Sequence, residues 1–389
     1  MTSLFSDETR RNPYPLYDQM RKGCPVHYVP PPFDAWMIFD YQNVKWVLND
    51  NARFSSRVPA PPDWFVFFDP PAHTKLRALI SRAFTPRVIA ALEPRIRALS
   101  RQLLSETAQR GEMDLAADYS VPLPMMVISE IIGIPAVDGP RFRRWSDVIL
   151  NLSYSRSGGA EAATAISDFR AVTAEMNSCL GEMIQQRRAS PADDLLTRLI
   201  EAETDGEHLT QKEILGFFQL LIVAGQETNT NLINNAILCL MEHPEQREHL
   251  ERRIDLLPSA IEEVLRFRSP VQWMMRTTRE DIQVNGTTIP AGKLVLPMIG
   301  SANRDPGQFR DPDCFDITRA SNPHVAFGHG IHFCLGAYLS RLEARIALTD
   351  LLERVRGFEL ASDEPWTPRK ALHVHGPASL PLRFQSSRG

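Results

Sequence analysis

The stretch from Thr210 to Glu242 constrains the fold more than any other part of the chain. Thr210-Gln-Lys-Glu213 is a capping box, in which the Thr hydroxyl and the Glu carboxylate seal the first free N–H groups of a helix. That helix can run until Pro244 stops it, roughly 50 Å at 1.5 Å per residue. Its first half, Ile214-Leu-Gly-Phe-Phe-Gln-Leu-Leu-Ile-Val-Ala224, is apolar almost all round, and such a helix belongs at the centre of a protein. It is too interrupted, and too polar in its second half, to span a membrane.

Helical patterns fill roughly residues 74 to 257. Val26 to Val29 and Ala35 to Phe39 are short apolar runs suited to strands. Ile282-Gln-Val-Asn-Gly-Thr-Thr-Ile289 carries an Asn-Gly hairpin signal, and Leu294 to Ile299 can add a further strand. The expected fold class is mainly α with a minor β region, as a single domain over residues 1–389. A net charge of −4 offers no general basic surface for nucleic acid. The first residues lack the apolar stretch of a signal peptide or membrane anchor, so a cytoplasmic protein that binds no membrane is expected. Five scattered cysteines, an odd number, argue against a disulfide framework. Four of them, Cys24, Cys179, Cys239 and Cys314, are expected as buried or semi-buried thiols.

Cys334 is different. It lies in Phe327-Gly-His-Gly-Ile-His-Phe-Cys-Leu-Gly336, directly before a helix-like run from Ala337 to Leu348. The glycines let the backbone turn tightly and approach a bulky group. A thiol at a helix mouth faces unpaired N–H groups and the positive end of the helix dipole, which favours thiolate. No second Cys lies within a few residues, so a zinc site is a poor fit. A single soft ligand for one metal centre is the better one.

Three other stretches carry possible chemistry. Ala224-Gly-Gln-Glu-Thr228 places an acid beside a hydroxyl in the middle of the apolar helix. A buried carboxylate needs a partner or a task, and proton relay is one; a Thr bonded back to the carbonyl of Ala224 and a Glu turned to a surface is the other account. Gly225 costs about 1 kcal/mol relative to Ala, which makes sense if something must approach the backbone. Asp69-Pro-Pro-Ala-His-Thr-Lys-Leu-Arg77 starts a helix after a double proline. His73 and Arg77, four apart, share one face, either for an anionic ligand or as a solvated surface. Glu263-Val-Leu-Arg266 sets opposite charges three apart, in isolation an ordinary ion pair.

Together and in this order, these stretches resemble the cytochrome P-450 heme-thiolate monooxygenases of the soluble bacterial kind. The cysteine loop matches Phe-Gly-x-Gly-x-His-x-Cys-x-Gly at every fixed position, and the resemblance covers nearly the whole chain. It implies the cytochrome P-450 fold, with the long helix over heme b and a small β-rich subdomain. Cys334 would be the axial iron ligand, its sulfur shielded by the loop and tuned by N–H groups around Leu335 and Gly336, with Phe327 beside the heme. His73, Arg77, Arg276 and His332 would bind the propionates; His329 has no such role and is expected at the loop surface. Gly225 would open a groove for dioxygen, the co-substrate. Thr228 would hydrogen-bond that dioxygen and Glu227 would supply protons. Asn229 stands where many relatives have a second hydroxyl residue. Glu263 and Arg266 would form a buried structural triad with Arg319.

Electrons would come from a separate ferredoxin or flavodoxin and its NAD(P)H-dependent reductase, because no segment suits a flavin or iron–sulfur centre. Lys75, Arg82, Arg87, Arg341 and Arg345 are candidates for a positive docking surface. The chain is expected as a monomer. The substrate pocket would draw on Arg57 to Phe68, Trp145 to Asp168, Leu220 to Thr228 and Val271 to Met275. Trp64, Phe65, Phe67, Phe68, Trp273, Met274 and Met275 suit a small apolar or aromatic substrate, unless they are plain core. Arg57 and Arg156 are cations within these segments. Three other readings compete: a peroxide-driven heme-thiolate peroxygenase, a non-catalytic heme protein such as a gas sensor, and a helical protein without heme.

Overall fold

The computed structural model describes residues 6–31, 33–58, 63–134, 139–151, 160–369 and 371–386. The capping box forms as its spacing requires. The Thr210 N–H donates to Glu213 Oε2 at 2.7 Å, and the Glu213 N–H donates to Thr210 Oγ1 at 3.3 Å. The helix it starts runs from Gln211 to Glu242, 32 residues, and ends two residues before Pro244. Among the described residues, no helix is long and apolar enough to cross a membrane.

The chain divides into two compact units. One comprises Met1–Val58, Glu93–Pro122 and Thr228–Gly389. Its main sheet has five strands in the order Val26–Val29, Ala35–Ile38, Leu294–Pro297, Arg276–Thr278, Phe54–Ser55. The pairing is antiparallel except between Ala35–Ile38 and Leu294–Pro297, which run parallel. Both faces are apolar: Val26, Ile38, Phe54, Val295 and Ile299 fall in one buried cluster, and Met37, Phe39, Leu296 and Trp273 in another. The Asn-Gly hairpin joins Ile282–Val284 to Thr287–Ile289, with Asn285 at φ +48 and Gly286 at φ +80, the left-handed pair that a two-residue hairpin turn needs. A three-stranded sheet pairs Val355–Leu360 with Pro381–Ser386 and the latter with Glu112–Asp114. The helix Ala337–Arg354 packs on Glu93–Thr107 and on Leu257–Phe267.

The second unit comprises Pro59–Leu92 and Leu123–Glu227. Its helix Ala72–Ala83 follows the double proline and packs on the short aromatic turn Phe65–Phe67 and on the helix Leu195–Glu201. The helix Ala160–Ala189 packs on both Gly139–Asn151 and Leu195–Glu201.

Several expectations shift. The strand expected over Leu294 to Ile299 ends at Pro297, and Ile299–Ala302 forms a short helix instead. Cys24 and Cys314 are exposed, contrary to the expectation of buried thiols, whereas Cys239 is buried and Cys179 half-buried. Cys314 uses its backbone instead, accepting hydrogen bonds from Arg266 and Arg319 at its carbonyl.

Candidate active site

The cysteine loop is built by its own backbone. The Cys334 N–H donates to the Phe327 carbonyl at 2.9 Å and the Phe333 N–H donates to Gly330 at 3.0 Å. Gly328 and Gly330 take φ of +75 and +71, a region that L side chains avoid. At Gly330 space adds a second reason: a Cβ would lie 2.8 Å from Asn49 Oδ1 and 3.0 Å from Asn49 Cα. Gly336 differs, since a Cβ there would meet only the Cys334 sulfur, at 4.0 Å, an ordinary van der Waals contact. The helix starts at Ala337 and runs to Arg354, so the half-buried Cys334 thiol stands just ahead of its free N–H groups.

Phe327 is braced from outside the loop. The Arg341 guanidinium lies 4.4 Å from its ring centroid and grips both oxygens of Glu262 at 2.6 and 2.7 Å. His324 reaches Glu262 Oε2 at 3.1 Å. Partial burial raises the Glu262 pKa, but the hydrogen bonds from Arg341 and His324 outweigh it and bring the carboxyl to about 2.

His332 meets the end of the edge strand of the five-stranded sheet, and Arg276 lies on the next strand inward. His332 Nε2 lies 2.8 Å from Ser56 Oγ, directly after the edge strand Phe54–Ser55, and Ser55 pairs with Thr277, the neighbour of Arg276. Arg276 is buried and donates from Nη1 to the Met275 carbonyl at 2.8 Å. In the other unit, His73 is buried with its ring stacked on Phe65 at 5.9 Å, and Arg77 is half-buried one turn along the same helix. His329 is half-buried in the loop, and burial together with nearby Lys45 lowers its pKa.

The long helix is buried along most of its length but not all round. Leu221, Gly225 and Thr228 are half-buried and Ala224 is exposed, whereas Ile222, Gln226, Glu227 and Asn229 are buried. Leu221, Ala224, Gly225 and Thr228 are three and four apart and so share one face, while Leu220 and Val223 are half-buried as well. Gly225 also has a packing reason, since a Cβ there would lie 2.8 Å from Ile128 Cδ1. Sequence reasoning missed Glu343, on the cysteine-side helix. It accepts from Asn229 Nδ2 at 2.8 Å, a contact between residues too far apart in the chain for any local pattern to reveal.

Glu263 and Arg266 sit inside a satisfied ionic cluster. Arg266 Nε and Nη2 donate to the two Glu263 oxygens at 2.8 and 2.7 Å, and Arg319 Nε reaches the same carboxylate at 3.1 Å. Both Glu263 and Arg266 side chains are completely buried. The proposed docking cations are mostly engaged: Lys75 with Glu207, Arg82 with the Glu203 carbonyl, Arg341 with Glu262 and Arg345 with Glu93 at 2.8 Å. Arg87 is exposed.

Among the pocket segments, Trp64 and Phe65 are buried, and Trp64 donates to Gln219 Oε1 at 3.1 Å. Trp273 belongs to the sheet core and donates to the Leu372 carbonyl at 3.2 Å, with Met275 packed on that core and Met274 on the cluster across the sheet. Arg57 is exposed, and Arg156 lies outside the described residues.

Residues 162–380 match the family model of cytochrome P450. Cytochrome P450 109 of Bacillus spizizenii is 41% identical over 385 residues, covering 99% of this chain and 95% of the relative. Among solved structures, CYP109Q5 from Chondromyces apiculatus superposes with a TM-score of 0.91 at 37% identity, covering 99% of this chain and 98% of the other. CYP109E1 from Bacillus megaterium, in complex with testosterone, gives 0.88 at 39% identity over 96% and 99%. With the cysteine loop, the long helix and the ionic cluster all in place, the chain belongs to the cytochrome P450 family of monooxygenases.

Proposed function

We propose that this enzyme is a heme-thiolate monooxygenase that uses O₂ to oxidise a small apolar organic substrate. Electrons come from a ferredoxin or flavodoxin with its NAD(P)H-dependent reductase, and the whole chain works as one heme-binding domain. The observation that carries this reading is the self-bonded Cys334 loop ahead of a helix. The donor set suits heme. Among the described residues no three His, Cys, Asp or Glu side chains gather to hold a bare metal ion, so a lone thiol fits a metal that brings most of its ligands with it.

Cys334 Sγ would hold the heme iron, with Phe327, braced by Arg341, packing beside the heme and Gly336 next to the sulfur. Arg276 and His332, with His73 and Arg77 on their own helix, would hold the two propionates. When bound, the heme supplies activation of dioxygen and transfer of one oxygen atom to the substrate. Gly225 and Thr228, both partly accessible on one face of the long helix, support assignment to that chemistry. Thr228 Oγ1 would donate a hydrogen bond at the site of dioxygen, and the buried Glu227 carboxyl would replenish its proton.

An apolar substrate is supported by Trp64, Phe65 and Phe67 and by relatives' names. CYP109E1 is known in complex with testosterone and with corticosterone, and another relative is named a vitamin D(3) 25-hydroxylase. A further relative, P450BioI, is known with an acyl carrier protein bearing hexadec-9Z-enoic acid. No observation favours the peroxide-driven alternative.

A carbon monoxide difference spectrum of the reduced protein tests the reading. A Soret band at the position of thiolate ligation, lost in Cys334→Ala, is expected. Its absence in the unaltered protein would overturn the assignment. A compound screen that watches the substrate-induced spin shift then identifies the substrate.

A further inference from the structure

The long helix continues past Thr228 with buried polar side chains: Asn229, Thr230, Asn231, Asn234 and Asn235. Asn229 is the member that reaches the cysteine-side helix. Its Nδ2 donates to Glu343 Oε2 at 2.8 Å, and its Oδ1 accepts from Ser340 Oγ. Ser340 and Glu343 are three apart on the helix that begins just after Cys334, and so share a face. The two contacts fix the amide from both sides.

Glu343 is only 1% exposed, and among the described residues its Oε1 has no hydrogen-bond partner and no cation pairs with it. Burial pushes its pKa up to about 8, against the opposing effect of the Asn229 hydrogen bond. Burial therefore favours its uncharged form. A buried, uncharged acid with one neutral partner adds no ion-pair attraction, so it is best explained by the geometry it imposes.

That geometry acts where the helix is weak. Gly225 lies one turn before Thr228, and glycine loosens a helix. A small rotation there moves the Thr228 hydroxyl. We propose that Asn229 is a positioning residue, clamped by Ser340 and Glu343 so that the turn bearing Thr228 stays in fixed register with the helix following Cys334. The proposal rests on the roles given above to Thr228 and Cys334. It assigns Glu343 the part of a hydrogen-bond acceptor, not of a proton source, so glutamine should replace it.

The test uses heme-loaded protein with carbon monoxide as the probe. Asn229→Ala and Glu343→Ala are expected to broaden or split the infrared C–O stretch. With a redox partner they should release at least threefold more hydrogen peroxide per NAD(P)H oxidised. Glu343→Gln should keep a single band and peroxide release within twofold of the unaltered enzyme. If Glu343→Ala does not accumulate, Ser340→Ala, which removes only the contact to Asn229 Oδ1, carries the same expectation. Unchanged C–O stretch and peroxide release in Asn229→Ala would overturn the proposal. So would Glu343→Gln proving as impaired as Glu343→Ala, which would make Glu343 a proton source. Failure of the heme-thiolate reading is separate, because it appears as a missing thiolate Soret band in the unaltered protein.

Discussion

The backbone N–H of Cys334 donates to the carbonyl of Phe327 at 2.9 Å, so the two ends of the cysteine loop hold each other. The loop between them depends on left-handed glycines, and Gly330 is the more constrained because Asn49 lies against it. Gly330→Ala is expected to destabilise the fold by about 1–2 kcal/mol from backbone conformation alone, with more from the contact with the Asn49 backbone. Thermal melting and the fraction of reduced protein showing a thiolate-type carbon monoxide band measure it, and both should fall together.

Removal of Glu263 strands two guanidinium groups. Glu263→Ala should cost about 3–5 kcal/mol, the usual result of breaking a buried pair, and yield little folded, heme-loaded protein. Normal heme content and melting temperature in the purified variant would contradict this.

Thr228→Ala should keep heme and substrate binding but divert reducing equivalents to hydrogen peroxide. The product formed per NAD(P)H consumed is the quantity to follow. Unchanged coupling would remove Thr228 from the proton path.

Much of this was legible locally. The capping box at Thr210, the Asn285-Gly286 turn and the helix start after Gly336 each depend on residues within a few positions, and each appears where its spacing puts it. The acid Glu263 and its partners Arg266 and Arg319 were also recoverable, through resemblance. Glu343 and Glu262 were not. Their significance comes from Asn229, Arg341 and His324, brought close only by the tertiary fold. The setting of Arg276 escaped for a related reason: a three-residue strand carries too little periodicity to announce itself, and it is flanked by strands at residues 54–55 and 294–297.

Gly216 offers a test of the aromatic loop. A Cβ there would collide with the Asp63 carbonyl oxygen, and the same loop is tied to the helix by Lys212 with Asp63 at 3.0 Å and by Trp64 with Gln219. Gly216→Ala should push the loop off the helix, at about 1–3 kcal/mol. Faster limited proteolysis around Trp64 and altered affinity for spin-shift ligands are expected, while the carbon monoxide band stays in place.

Glu343 and His375 together place greatest stability between about pH 4.5 and 6.5, with losses on either side of that window. Glu343, raised from an ordinary 4.5 to about 8, keeps its proton when folded. Its contribution is complete below pH 4.5 and is lost as pH rises through 8, about 1.4 kcal/mol per pH unit between those values. His375 is lowered from 6.5 to about 3 by burial and then by the charge of Arg268. Its contribution is complete above pH 6.5 and is lost as pH falls towards 3. Glu343→Gln should therefore gain stability relative to the unaltered protein as pH rises from 5 to 8, measured by denaturant unfolding across that range. A constant difference would refute the assignment.

Residues 303–329 form neither helix nor strand, yet the cysteine loop begins within them. Arg266 and Arg319 between them hold the carbonyls of Asn303, Arg310, Asp311, Pro312 and Cys314, while Glu263 accepts from the Asp316 N–H and the Asn322 amide. Charge here replaces the backbone ladder that a sheet would have supplied. One carboxylate far upstream of Cys334, with its two arginines, thus holds much of the segment that leads into the cysteine loop.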